Sequence, residues 1–146
     1  MATVSTYLNF PGNTEEAFTF YKSVFGNEFA GNGIMRMGDV PPQEGQPAPG
    51  EAEKELVLHV ALPILGEHLL MGTDVPASMG TVTPGNNVSI CLGPDSREEA
   101  DRLFAALAEG GTVEMPLADQ FWGDYFGSLV DRFGVQWMIN YSPNAS

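Results

Sequence analysis

The sequence predicts an α+β fold of two βαβββ modules, and three observations carry that reading. An amphipathic helix with an acidic start recurs 83 residues further on, Glu15 falling on Glu98 and Glu16 on Glu99. A short alternating strand precedes each copy. Three strand-like runs follow each copy, the last two of them joined by a short turn.

The first helix is expected over 13–26, "NTEEAFTFYKSVFG". Asn13 and Glu16 have the spacing of a capping box, and Gly26 is a stop signal. Ala17, Phe20, Tyr21 and Val24 recur at helical spacing on one face. The second helix, 95–111, repeats the pattern with Ser96 and Glu99 as the box, Ala100, Leu103, Phe104 and Leu107 as the stripe, and Gly110 as the end. The strands expected are 6–10, 29–37, 55–64 and 68–74 in the first module, and 87–92, 111–119, 123–131 and 135–141 in the second. Leu65, Gly66 and Glu67 turn the first hairpin, and Arg132, Phe133 and Gly134 the second. A segment rich in Pro, Gly and Glu, 38–54, has no apolar periodicity and reads as a long mobile loop. The whole, 1–146, is expected as a single domain, with module one over about 1–75 and module two over about 85–142.

Charge bounds the partners. With 19 acidic against 6 basic residues the formal net charge is −13, which disfavours nucleic-acid backbones and anionic membrane surfaces. A neutral or cationic small molecule is compatible with it. The lone Cys91 cannot form an internal disulfide, and no basic, then apolar leader opens the chain, so a cytoplasmic protein is expected.

Strand alternation assigns faces. Leu8, Phe10, Leu56, Leu58, Val60, Leu62, Val88, Ile90, Leu92, Val135, Trp137, Ile139 and Tyr141 are expected in the core. The opposite, concave side then receives Tyr7, Asn9, Val57, His59, Ala61, Leu69, Met71 and Thr73 from the first module. From the second it receives Asn87, Ser89, Cys91, Gln136, Met138 and Asn140. His59, mid-strand on the concave side, is the best candidate for hydrogen bonding or acid–base chemistry. His68 adjoins the hairpin turn, where an exposed imidazole is usually idle, and the two histidines lack the spacing of a zinc motif. Phe121, Trp122, Tyr125 and Phe126, spaced by Gly123 and Gly127, suit either an aromatic wall at a cavity mouth or packing at a dimer or core contact. Asp119, Asp124 and Asp131 are candidate bases or cation holders, Asp131 reading as a turn residue, and Cys91 reads as a buried, inert small hydrophobe.

Three stretches, "YLNFPGNTEEAFTFYKSVFG", "LHVALPILGEHLLMGTD" and "FWGDYFGSLVDRFGVQWMIN", resemble the PhnB-like branch of the glyoxalase/bleomycin-resistance/dioxygenase (vicinal oxygen chelate) superfamily. The resemblance runs in order over nearly the whole chain, and departs at Arg132, where the family commonly has proline. It implies a cup-shaped half-barrel sheet with helices on its outer face, often a homodimer. In the superfamily's metalloenzymes a divalent ion sits on His, Gln or Glu at positions that fall here on Tyr7, Met71, Asn87 and Met138. Thioethers favour soft ions and amides are weak donors, so no metal and no other cofactor is expected. No glycine-rich nucleotide loop opens a helix, which speaks against the methyltransferase label that some members of the branch carry. The expected function is therefore binding of a small molecule in a metal-free cavity between the modules. Its lining would be Tyr7, Asn9, His59, Met71, Asn87, Trp122, Met138 and Asn140. The alternatives are a metal-dependent lyase or dioxygenase-like enzyme of the same fold, and a partner-binding or structural dimer.

Overall fold

A computed structural model describes residues 2–41, 45 and 50–143. The chain divides into two compact units, 1–82 and 83–146. The first contains β1 (Thr6–Phe10), α1 (Thr14–Phe25), β2 (Met35–Arg36), β3 (Val57–Pro63) and β4 (Leu69–Asp74), in a sheet of order β1-β4-β3-β2. The second contains β5 (Ile90–Leu92), α2 (Arg97–Ala108), β6 (Thr112–Asp119), β7 (Tyr125–Val130) and β8 (Gln136–Tyr141), in the matching order β5-β8-β7-β6. In each sheet the first strand runs parallel to the last and the remaining pairs are antiparallel. The two expected βαβββ modules are both present.

Helix α1 packs on one face of its sheet through Ala17, Phe18, Tyr21 and Val24, all buried. The expected stripe needs one correction: Phe18 is fully buried and Phe20 only half so. The reason is Gly72 in β4, where a Cβ would stand 2.5 Å from the Phe18 ring; the missing side chain leaves the hole that the ring fills. Helix α2 buries Ala100, Leu103, Phe104 and Leu107 as the periodicity predicts, with Phe104 over Gly127 in the same manner.

The helix starts differ from each other. Ser96 caps α2, its Oγ accepting from Glu99 N–H at 3.1 Å, while the Glu99 carboxylate pairs with Arg102 and does not close the box. Asn13 makes no capping bond at all. The buried Asp74 carboxylate takes that role from the end of β4, accepting from Thr14 N–H at 2.9 Å and from Val57 N–H at 2.8 Å. Gly26 ends α1 in the left-handed region at φ 76°, as expected.

Four further expectations change. The strand expected over 29–37 is reduced to Met35–Arg36, because Gly31 and Gly33 take positive φ and break the extended run. The strand expected over 87–92 begins only at Ile90; the Gln136 side-chain amide donates to the Val88 carbonyl at 2.8 Å in place of a strand partner, and Val88 is exposed. Val57, expected on the concave side, is buried where Asp74 holds its N–H. His68 is half-buried, its Nε2 lying 2.8 Å from Thr6 Oγ1, so it ties β4 to β1. Of the expected loop 38–54, residues 42–44 and 46–49 lie outside the described residues; 37–39 form a single 3-10 turn held by Arg36 and Asp39.

The second buried carboxylate, Asp131, closes the β7–β8 hairpin. It accepts from Phe133 N–H at 2.8 Å, Val135 N–H at 3.1 Å and the fully buried Trp137 indole N–H at 2.8 Å. Asp131→Ala strands these donors, so a loss of at least about 3 kcal/mol is expected in urea unfolding. A change below about 1 kcal/mol would show that water replaces the carboxylate without penalty.

Candidate functional site

A helix covers one face of each sheet, and most of the expected site residues lie on the opposite face of their own sheet. In the first unit Tyr7 is the register partner of Met71, and Met71 of Ala61, so three neighbouring strands present these side chains on one side. Asn9 is the partner of Thr73. His59 follows two residues before Ala61, hence on the same side, and Met35 stands directly opposite it on β2. The Tyr7 phenol oxygen lies 3.4 Å from His59 Nδ1, and the two rings are 5.9 Å apart at 33°. Tyr7 and Asn9 are exposed, and His59 and Met71 are half-buried. A phenol and an imidazole in contact, flanked by two flexible thioethers, give this face paired hydrogen-bonding groups on an apolar floor.

In the second unit Met138 has Cys91 on one side and Ser128 on the other, and Met115 continues the row. Cys91 is exposed on this open face, not buried as expected, because β5 is the outer strand and no side chain stands beyond it in its sheet. Partial burial nevertheless pushes its thiol pKa up. Asn140, the partner of Phe126, donates through Nδ2 to Asp124 Oδ2 at 3.0 Å and to Ser142 Oγ at 3.3 Å.

Two expected members separate from this group. Asn87 precedes β5, is exposed and does not join the strand row. Trp122 stands in the β6–β7 turn, half exposed, with edge contacts to Phe121 at 5.0 Å and Phe126 at 6.1 Å. The four-ring wall also loses Tyr125, which alternation sends to the other side of β7. There its hydroxyl bonds Asp101 and its ring lies 4.2 Å under the Arg97 guanidinium, which pairs with Asp119 at 2.8 Å. The Asp101 hydrogen bond, with some burial, raises the Tyr125 phenol above its ordinary range.

The residues do not fit the superfamily's divalent ion. The positions that the resemblance assigns to it hold a phenol at Tyr7, a thioether at Met71, an amide outside the strand at Asn87 and a thioether at Met138. Among the described residues no three His, Cys, Asp or Glu side chains converge. The row of sulfur and small polar groups around Met138 was readable from strand parity; the exposure of Cys91 was not, since it depends on which strand is the sheet's edge.

The raised thiol pKa has a direct chemical outcome. At pH 7 the folded chain should alkylate at Cys91 more slowly than a free small thiol, with the rate still climbing at a pH where the small thiol has levelled off. Iodoacetamide kinetics followed by mass spectrometry check this. A rate at or above that of the free thiol would mean that the open face leaves the sulfur fully hydrated.

Comparison with known proteins agrees with this geometry. The family described as 3-demethylubiquinone-9 3-methyltransferase matches residues 2–140. The crystal structure of protein PA1353 from Pseudomonas aeruginosa is 37% identical and covers 97% of this chain and 98% of its own, with a TM-score of 0.83. The PhnB protein from Bacillus cereus is 29% identical over 97% of this chain and 100% of its own, with a TM-score of 0.71. A glyoxylase/bleomycin resistance protein/dioxygenase domain from Frankia sp., only 12% identical, superposes over 100% of this chain and 96% of its own with a TM-score of 0.64, a likeness of fold alone. The chain thus belongs to the 3-demethylubiquinone-9 3-methyltransferase-like, PhnB-like family, on the glyoxalase/bleomycin resistance/dioxygenase fold.

Proposed function

We propose that this protein binds a small molecule on the open sheet face of its first unit, without the divalent ion of the superfamily's metalloenzymes. The observation that carries the reading is the Tyr7–His59 contact at 3.4 Å on the sheet face opposite α1, with Met71 beside Tyr7. Phenol and imidazole supply donors and an acceptor, Asn9 adds an amide, and the thioethers of Met35 and Met71 give an adaptable apolar surface. The open face of the second unit, with Met138 and Asn140, offers a similar mixture. A net charge of −13 favours a neutral or cationic ligand over an anionic one, and speaks against nucleic-acid and anionic membrane partners. Among the described residues no helix is long and apolar enough to cross a membrane. A homodimer in the cytoplasm completes the reading. It is supported by the exposed Val113, Met115 and Phe121 along and beside the outer strand β6, and by a single cysteine that cannot form an internal disulfide.

Two experiments test it. Elemental analysis of tag-free protein is expected to find no stoichiometric metal, and thermal-shift titration with Zn²⁺, Ni²⁺, Mn²⁺ and Fe²⁺ no saturable stabilisation. A stabilisation of about 3 kcal/mol, as mass action gives near a hundredfold excess over Kd, would turn the reading to a metalloenzyme. Separately, His59→Ala is expected to change stability by less than about 1 kcal/mol, since its side-chain partner among the described residues is an exposed phenol. The same variant, and Tyr7→Phe, should lose the thermal-shift response to any small molecule that a library screen finds. Retention of that response in both variants would move the site elsewhere.

A further inference from the structure

The second unit contains a cavity of about 440 Å³, apart from the row around Met138. It opens where the parallel strands β5 and β8 end: Gly93, Pro94 and Asp95 lead away on one side, and Asn140, Tyr141 and Ser142 on the other. We propose that this cavity is a second ligand site, for a small protonated amine.

Its position is one reason. Beyond Leu92 and Ile139 the two neighbouring chains part, β5 into the turn before α2 and β8 toward the end of the described chain. The volume lies within the range of small-molecule sites, roughly 300–1,000 Å³.

The polar groups choose the ligand's charge. Asn140 is oriented by Asp124: a carboxylate accepts only, so the amide must turn its NH₂ toward it, at 3.0 Å, with Ser142 Oγ at 3.3 Å on the same nitrogen. That leaves Asn140 Oδ1 as an acceptor, with the Asp124 charge behind it. Asp95 itself lines the cavity, whereas Asp124 stands behind Asn140, and Asp95 forms no ion pair among the described residues. Its nearest base in sequence, Arg97, is committed to Asp119 and the Tyr125 ring. The start of α2 does not reverse the preference for a cation. Ser96 already holds Glu99 N–H, and Glu98 and Glu99 meet the positive helix end. Acceptors on both walls and two carboxylates nearby suit an ammonium group, which brings three donors and a positive charge. The site shares no side chain with the Tyr7–His59 face, so either can fail without the other.

The test is a titration of the full chain with ethanolamine, protonated at pH 7, followed in ¹H–¹⁵N spectra at about 0.15 M salt so that exposed charges are screened. Ethylene glycol and glycolate serve as its neutral and anionic counterparts. The expected result is saturable shifts at Gly93, Asp95, Ser142 and the Asn140 side-chain amide with ethanolamine alone. Asp95→Asn should weaken the apparent affinity at least about tenfold at unchanged melting temperature, since Ser96 keeps its cap. Asn140→Ala should weaken it as well. Shifts that never saturate, that spread over the acidic surface, that glycolate reproduces, or that Asp95→Asn leaves unchanged would each overturn the proposal.

Discussion

Each unit holds one buried carboxylate on which several N–H donors converge. Asp74 at the end of β4 collects the first N–H of α1 and the first of β3; Asp131 at the end of β7 collects two from the hairpin turn and the indole of Trp137. Each is only 3% exposed. A carboxylate can only accept, so burying one is tolerable only when several donors converge on it, and that convergence fixes the segments that supply them. Asp74 sets where α1 begins relative to the sheet. Everything about which face is covered follows from that placement.

Once the helix is set down, glycine decides how closely it lies. Gly72 and Gly127 leave gaps that the Phe18 and Phe104 rings fill, which brings helix and sheet into close contact. The covered face is then saturated with apolar packing, and every other side chain on the strands is left for the bare face. Tyr7, His59 and Met71, and in the second unit Cys91, Met138 and Asn140, are the residues so left over. The bare faces are chemically mixed because the fold asks nothing of them. That freedom lets one fold host unrelated ligands and explains why family membership does not name a substrate.

Strand parity made much of this legible in the sequence. The alternation of Tyr7, Leu8, Asn9 and Phe10, and of Gln136 to Tyr141, is strict enough that a one-residue slip would bury polar groups, so the sequence alone assigns the faces. The helices were legible for the same reason. What failed was whatever depends on a distant partner. Asn13 has the composition of a cap, yet Asp74, 61 residues away, takes the helix start. Val88 continues an alternating run, yet the Gln136 side chain claims its carbonyl and ends the strand. The cavity by Asn140 had no sequence signal beyond Asn140 itself, since the divergence of two backbones shapes it and no residue pattern records that.

Strand β6 shows what is at stake at the outer margin of the second sheet. All eight of its residues but Leu117 are exposed, and its outer edge has no neighbour in its sheet. Such a margin is a template on which further chains can grow. Pro116 interrupts it with a residue that has no N–H to give, and the pairing register slips on both sides of Met115. An incoming strand would find a ladder with a missing rung and a bend, so growth by continuous hydrogen bonding is blocked at its middle. Pro116 and the slipped register thus deny a further strand an unbroken ladder along β6.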